Sequence, residues 1–309
     1  MLKLNSNIIK SSIYGGAIGD ALGMPVECVP RQSVRFMNFK EIESKINWFT
    51  DDTSMTLASM DALVKSDFKL ETFMENFVEW FYNGKYTTLG YPYGYGKGTK
   101  NAIAKYFYTG NVNTCGGTDI NNNGNGALMR ITPVCLALLA TQNNWDIIVS
   151  ILNSITGLTH NHNISKMANV MYCAFLYELI ESRDKRIAYR YMINFDYERY
   201  FDKETISHFK DLLRIDYDIE PEDKRNFGAV ETLKCVIYSI MNNNNFKDSI
   251  ICAINLGYDT DTIAAITGNL AGVLYGYDNI PKNWLRKLQG KDLINKFIKD
   301  FSNKFKEGE

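Results

Sequence analysis

The sequence predicts an all-α protein folded as a single domain, on three observations. Apolar residues recur at three- and four-residue spacing through most of the 309 positions, β-type alternation is nearly absent, and glycine, proline and asparagine punctuate the apolar runs. A 45% apolar and 13% aromatic composition supplies a substantial core, and no repeat or linker-like shift divides the chain.

Taken in order, helices are expected at 6–21, 53–65, 70–83, 98–108, 126–141, 145–155, 163–182, 203–214, 227–242, 246–255, 261–276 and 290–305. The second carries Met55, Leu57, Ala58, Met60, Leu63 and Val64, and the third carries Phe73, Phe77, Trp80 and Phe81. Met171, Phe175, Leu176 and Leu179 repeat the same spacing in the seventh. Breaks fall at Gly84, Gly110, the glycine-rich 116–126, Gly157 and Pro281. The stretch 181–225 is more charged and less periodic, and reads as a surface excursion. The tyrosine- and glycine-rich loop 86–95 reads as a packed surface loop, ahead of a rim whose tyrosines stack on a flat ligand.

The 34 basic and 35 acidic residues are mixed along the chain and sum to a formal charge of −1. That balance argues against a nucleic-acid surface, which needs a basic patch or stripe. No apolar run approaches a membrane span. Lys10, Gly15, Gly16 and Asp20 interrupt the apolar N-terminal stretch, which makes it a poor secretion signal. The six cysteines lie far apart, most among apolar neighbours, as buried free thiols do. The chain reads as a reduced, cytoplasmic protein and a monomer.

Two tetrads carry the strongest chemical signal: Thr50-Asp51-Asp52-Thr53 and Asp259-Thr260-Asp261-Thr262, each just ahead of an apolar run. Either alone reads as a helix start, because Thr and Asp cap backbone N–H groups and acids suit the positive end of the helix dipole. A cap needs one oxygen, however, and each tetrad offers more. Four carboxylates without a nearby lysine or arginine repel one another unless cations lie between them. Oxygen donors without sulfur or imidazole suit magnesium or manganese over zinc. The tetrads are therefore expected to meet in space and hold a two-metal centre.

Other segments are more ambiguous. In 15–23, small residues let a helix approach its neighbour closely, while Asp20 and Glu27 flank an apolar stretch from which a carboxylate can be held at a cavity edge. Asn125-Gly126-Ala127-Leu128-Met129-Arg130 is either a loop offering N–H donors to phosphate or an asparagine cap with a solvated arginine. His160, in Thr159-His160-Asn161-His162, is either a donor to phosphate or ribose or a satisfied structural residue; zinc lacks a third ligand nearby.

In order along the chain, Gly-Asp-Ala-Leu-Gly-x-x-x-Glu at 19–27, Thr-Asp-Asp-Thr at 50–53, Gly-Asn-Gly-Ala-x-Met-Arg at 124–130 and Thr-His at 159–160 resemble the ADP-ribosylglycohydrolase family. Val-Glu-Thr-Leu at 230–233, Asp-Thr-Asp-Thr at 259–262 and Ile-Pro-x-x-Trp at 280–284 continue the resemblance, which leaves 181–225 uncovered. It implies a compact orthogonal multi-helix domain with a metal-binding cleft for ADP-ribose and two Mg2+ or Mn2+ ions. By matching position, Thr50, Asp51, Asp52, Asp259, Asp261 and Thr262 would be metal ligands. Glu27 would assist glycosidic cleavage as general acid/base, with Asp51 or Asp52 orienting the water. Asn125, Gly126, Ala127 and Met129 would line the ligand loop, His160 would stand near the ligand, and Asp20 would support the site from behind.

One position departs from the family pattern. Gly257-Tyr258 stands where the family usually has Gly-Gly, which places Tyr258 on the substrate side and puts substrate scope in question. The implied partner is an ADP-ribosylated protein or a small ADP-ribose conjugate, with ADP-ribosyl-arginine favoured. Serine-linked ADP-ribose, poly(ADP-ribose) and O-acetyl-ADP-ribose stand as alternatives. Two rivals of other classes are a non-catalytic ADP-ribose binder and another two-metal hydrolase such as a phosphodiesterase.

Overall fold

Two helices from opposite ends of the chain cross at the centre: α1 (Ser6–Gly23) and α14 (Thr260–Tyr275), both buried along most of their length. A side chain at Gly15 would place its Cβ 2.1 Å from the Gly268 carbonyl oxygen, and one at Gly19 would reach 1.9 Å from that of Ala264. The backbones touch, which only residues without a Cβ allow. This contact sets the position of everything attached to the two helix ends.

The computed structural model describes residues 1–214 and 217–306. Around the central pair, in chain order, come α2 (Arg31–Phe36), α3 (Phe39–Ser44), α4 (Asp51–Ser66), α5 (Leu70–Asn83), α6 (Lys97–Thr109) and α7 (Thr132–Thr141). There follow α8 (Trp145–Gly157), α9 (Asn163–Ser182), α10 (Lys185–Ile193), α11 (Lys203–Ser207), α12 (Ala229–Met241) and α13 (Phe246–Asn255). After α14 come α15 (Lys282–Lys287) and α16 (Lys291–Phe305). No strand occurs among the described residues, only isolated bridges between Gly117 and His160 and between Gly124 and Gly228. The molecule is a single compact helical domain, as the periodicity predicts.

Peripheral helices follow the amphipathic rule. In α16, Ile294, Phe297, Ile298, Phe301 and Phe305 are buried against α4 and α1, while the lysines between them stay outside. On the other side α9 packs against α8, α10 and α12. Within the charged stretch 181–225, α10 and the turns after α11 bury Ala188, Tyr189, Met192 and Phe209. Arg31 reaches this stretch by donating to the carbonyls of Pro221 (2.6 Å) and Glu222 (3.0 Å). Ile215 and Asp216, inside the same stretch, lie outside the described residues.

Several boundaries differ from expectation for identifiable reasons. The helix expected over 126–141 begins only at Thr132, because Pro133 lacks an N–H and its ring excludes a preceding helical turn. Residues 125–130 are turns. The helix expected over 203–214 ends at Ser207, and Phe209 and Leu212 are buried from successive turns instead. Helices α2, α3, α10 and α15 span too few turns for apolar periodicity to register. All six cysteines are free, and among the described residues no helix is long and apolar enough to cross a membrane.

Candidate active site and metal centre

The crossing of α1 and α14 brings the end of one helix to the start of the other. Thr260 Oγ1 donates to the Gly23 carbonyl (2.8 Å), and a 3-10 turn, Met24–Val26, then carries the chain to Glu27. Cys28 N donates to Tyr258 O (2.6 Å) and Tyr258 N donates to Val29 O (2.7 Å), tying the Glu27 segment to the Asp259 segment. Tyr258 adopts φ +60° and Cys28 φ +63°. A non-glycine residue there costs ~1–2 kcal/mol, so the tie holds two strained residues in place.

Asp20 organises the first tetrad from outside it. Its carboxylate accepts from Thr50 N (2.9 Å), Thr50 Oγ1 (2.8 Å), Thr53 N (3.0 Å) and Thr53 Oγ1 (2.6 Å). Thr50, the N-cap of α4, makes no side-chain cap bond of its own. A carboxylate from α1 thus caps α4, and Asp51 and Asp52 are released from that duty. Burial pushes Asp20 up to about 6, against the pull of the Thr53 and Thr50 hydrogen bonds.

The two tetrads meet. Thr50, Asp51, Asp52, Asp259, Asp261 and Thr262 are each at most 5% exposed. Thr262 Oγ1 lies 3.4 Å and Thr50 Oγ1 3.2 Å from Asp52 Oδ2. Asn125 Nδ2 donates to Asp259 Oδ2 at 2.5 Å, and Asn226 Oδ1 accepts from Asp259 N at 3.0 Å. Burial raises all four acids. The charge of Asp20 adds for Asp51 and Asp52, and that of Asp52 adds for Asp261.

The donor set fits hard divalent cations. Asp52 Oδ1 is buried without a hydrogen-bond partner, an orphaned anionic oxygen of the kind a cation satisfies. No three acidic, histidine or cysteine side chains converge as a preformed cage among the described residues. Magnesium suits such a set, because it keeps several waters and takes only one or two carboxylates from the protein.

Above the acids opens a cleft of about 690 Å³. Glu27, Asp51, Asn125, Gly126, Met129, His160, Asp259, Asp261 and Thr262 all line it. Ala127 is buried behind the wall, and half-buried Tyr258 stands beside Asp259 without lining the cleft. Burial, with the charges of Asp259 and Asp20, pushes Glu27 up to about 7. The loop 86–95 is packed at its ends, where Tyr86 donates to Asp61 Oδ2 at 2.5 Å and the Tyr95 ring lies 5.0 Å from that of Phe81, while Tyr91 and Tyr93 between them are exposed. Its tyrosines do not line the cleft, but Gly94 does, at φ +92°. A Cβ there would fall 2.7 Å from Asp51 Oδ1, so the loop lies directly on a site carboxylate.

Arg130 is buried, not solvated. Its guanidinium donates to Gly126 O and to Thr159 Oγ1 (3.0 Å) and lies 4.6 Å from the Phe77 ring centre. Burial lowers it to about 9, against the charge of Asp51. Thr159 Oγ1 is 2.8 Å from His160 Nδ1, and burial together with Arg130 pushes His160 down to about 3. His162, two residues on, caps α9 by accepting from Ile164 N (3.3 Å). Lys97, Thr99 and Asn226 carry no signal in the sequence. Only the glycines of the aromatic loop and the Val-Glu-Thr-Leu motif that holds Thr232 point to this wall; Asn226 sits in no recognisable pattern.

A family model of ADP-ribosylglycohydrolase matches residues 4–309. The chain is 29% identical to an ADP-ribosylarginine hydrolase, Tri1, of Serratia proteamaculans, over 93% of this chain and 76% of that one. It is 28% identical to the ADP-ribosyl-[dinitrogen reductase] glycohydrolase of Rhodospirillum rubrum, over 91% and 90%. Among solved structures, an ADP-ribosylglycohydrolase-related protein complex superposes with a TM-score of 0.77, covering 96% of this chain and 98% of that chain at 24% identity, a likeness of fold. With its fold and motif order both matched, the chain belongs to the ADP-ribosylglycohydrolase family, enzymes that hydrolyse ADP-ribose linkages.

Proposed function

We propose that this protein is a metal-dependent hydrolase that releases ADP-ribose from ADP-ribosyl-arginine on a protein. The observation that carries this reading is the group of Asp51, Asp259 and Asp261 at the cleft floor, together with the orphaned oxygen of buried Asp52, beside Glu27, which burial and the charges of Asp259 and Asp20 push up to about 7. The relative named for ADP-ribosylarginine supports the arginine linkage, and the one named for ADP-ribosyl-[dinitrogen reductase] supports a protein as the acceptor.

In this reading Thr50, Asp51, Asp52, Asp259, Asp261 and Thr262 would hold two magnesium or manganese ions, which when bound would supply Lewis-acid polarisation at the ribose. Asn125, Gly126, Ala127, Met129, His160 and Tyr258 form the ADP-ribose side of the cleft or support it. Cleavage breaks the bond between the anomeric carbon and the guanidinium nitrogen, and water oxygen forms the new bond. Asp51 or Asp52 orients that water, and the surrounding carboxylates stabilise the positive charge that develops on the sugar. Glu27 passes a proton to the departing nitrogen and recovers one from water, a role suited to a pKa of about 7.

Incubation with arginine-, serine-, polymer- and O-acetyl-linked ADP-ribose, with magnesium and with chelator, tests the reading through released ADP-ribose. Magnesium-dependent release from the arginine conjugate is expected. Binding of ADP-ribose with no release from any conjugate would identify a non-catalytic binder instead, and full activity in chelator would remove the metals from the mechanism.

A further inference from the structure

The steps above make no use of Arg130, a buried cation that no carboxylate contacts among the described residues, and yet it reaches the cleft through two hydroxyl and ring contacts. Its Nη2 donates to Thr159 Oγ1 at 3.0 Å, and that oxygen lies 2.8 Å from His160 Nδ1. Thr159 is fully buried. A hydroxyl has one proton and two lone pairs, and Arg130 occupies one of the lone pairs. If His160 Nδ1–H donated to the other, the Thr159 proton would have no acceptor among the described residues, and a buried unmet donor bears its full desolvation cost. The arrangement that satisfies the Thr159 hydroxyl has it donating to Nδ1, which leaves the single proton of the neutral ring on Nε2. That nitrogen faces the cleft: a Cβ would lie 3.3 Å from it at Gly98, 3.4 Å at Gly124 and 3.5 Å at Gly126, three glycines of the wall.

We propose that Arg130 is a positioning residue that, through Thr159, locks His160 in the Nε2–H tautomer, so that the ring presents a neutral, fixed hydrogen-bond donor to an acceptor oxygen of the bound ligand. The ring stays neutral because burial and the adjacent guanidinium both oppose a second proton. For the identity of the ligand, ADP-ribose, the inference rests on the proposed function; for the tautomer it does not.

The chain has three histidines, so two-bond proton–nitrogen NMR correlation on histidine-labelled protein resolves each ring, and the signals absent from His160→Gln assign His160. Wild-type protein is expected to show protonated Nε2 and bare Nδ1, and Arg130→Met and Thr159→Val to populate both tautomers, with Thr159→Ser restoring the wild-type pattern. Should Arg130→Met fail to fold, Thr159→Val carries the test. Adding ADP-ribose should shift the Nε2–H signal, and Thr159→Val should bind it about tenfold more weakly, as loss of one fixed donor to a charged oxygen predicts. A wild-type spectrum with Nδ1 protonated, or wild-type patterns retained in the folded variants, would overturn the lock. ADP-ribose binding that leaves Nε2–H unmoved would overturn the donor role, whereas failure of wild-type protein to bind ADP-ribose at all would count against the proposed function alone.

Discussion

Thr262 Oγ1 stands 3.4 Å from Asp52 Oδ2, although 210 residues separate the two in sequence. One side chain comes from the first turn of α14 and the other from the first turn of α4, and Asp20 on α1 holds α4 in place beside both. The cluster is therefore a property of three helices together, and its like charges are crowded where water is scarce. Its behaviour under substitution and titration follows from that crowding.

Asp261→Asn removes one charge from the cluster and keeps its size. In chelator the variant should be more stable than wild type, by about 1–3 kcal/mol, because a buried like-charge repulsion is relieved. In magnesium the order should reverse, and release of ADP-ribose should fall by at least 10²-fold. Thermal unfolding in the two buffers reads both signs. A variant that magnesium stabilises as much as wild type would remove Asp261 from the metal site.

The raised acids give metal-free protein an unusual pH dependence. Glu27 and Asp20 are held at about 7 and about 6, above ordinary values of 4.5 and 3.8. The folded state then binds more protons than the unfolded one between pH 3.8 and about 7, so stability is fullest below that window and falls as pH rises through it. The melting temperature in chelator should drop by on the order of several degrees from pH 5 to pH 8. Saturating magnesium should flatten the drop, since cations between the carboxylates favour their ionised forms.

Gly19→Val tests the helix crossing. Its side chain would need space that the Ala264 carbonyl occupies, at 1.9 Å from the Cβ, and flexible atoms are not what stands in the way. The expected cost is about 3 kcal/mol or more, with metal binding weakened in step, because separating α1 from α14 pulls Asp20 and Glu27 away from Asp259 and Asp261. Urea titration and calorimetry with magnesium are the measurements. A large loss of stability with normal magnesium affinity would uncouple the crossing from the site.

Gly94→Ala should act locally. The substituted residue must keep φ +92° with its Cβ 2.7 Å from Asp51 Oδ1, so the loop is pushed off the acid. Turnover should fall about 10- to 100-fold while the melting temperature moves by only a few degrees, a split expected when one reacting group is displaced by a fraction of an ångström. An equal loss in Gly90→Ala, at a glycine also held at positive φ (+77°) but with open space around it, would point to backbone strain in the loop as the cause, not contact with Asp51.

The tetrads could be read from the sequence because each concentrates oxygen where a helix start needs less, and because both immediately precede apolar runs. The glycines of α1 announced a close helix contact for the same local reason. Arg130 could not be read this way. An arginine after a glycine loop looks solvated, and its burial depends on Phe77 from α5, Gly126 from the loop and Thr159 from the turn after α8 converging around it. Asn226 is similar: it lies just past the charged stretch 181–225, in no pattern, yet it accepts from the backbone of Asp259. The sequence places the start of α7 too early despite Pro133, because apolar periodicity continues upstream of it.

The glycine contact between α1 and α14 also bears on the protein's birth. On the ribosome, Asp20 and the first tetrad emerge long before residue 262 is translated, and α1 has no partner for its seam of bare backbone until α14 arrives. A nascent chain therefore carries the Asp20 and Thr50–Thr53 half of the acid cluster with nothing opposite it, and the cluster is complete only once α14 has been translated and docks.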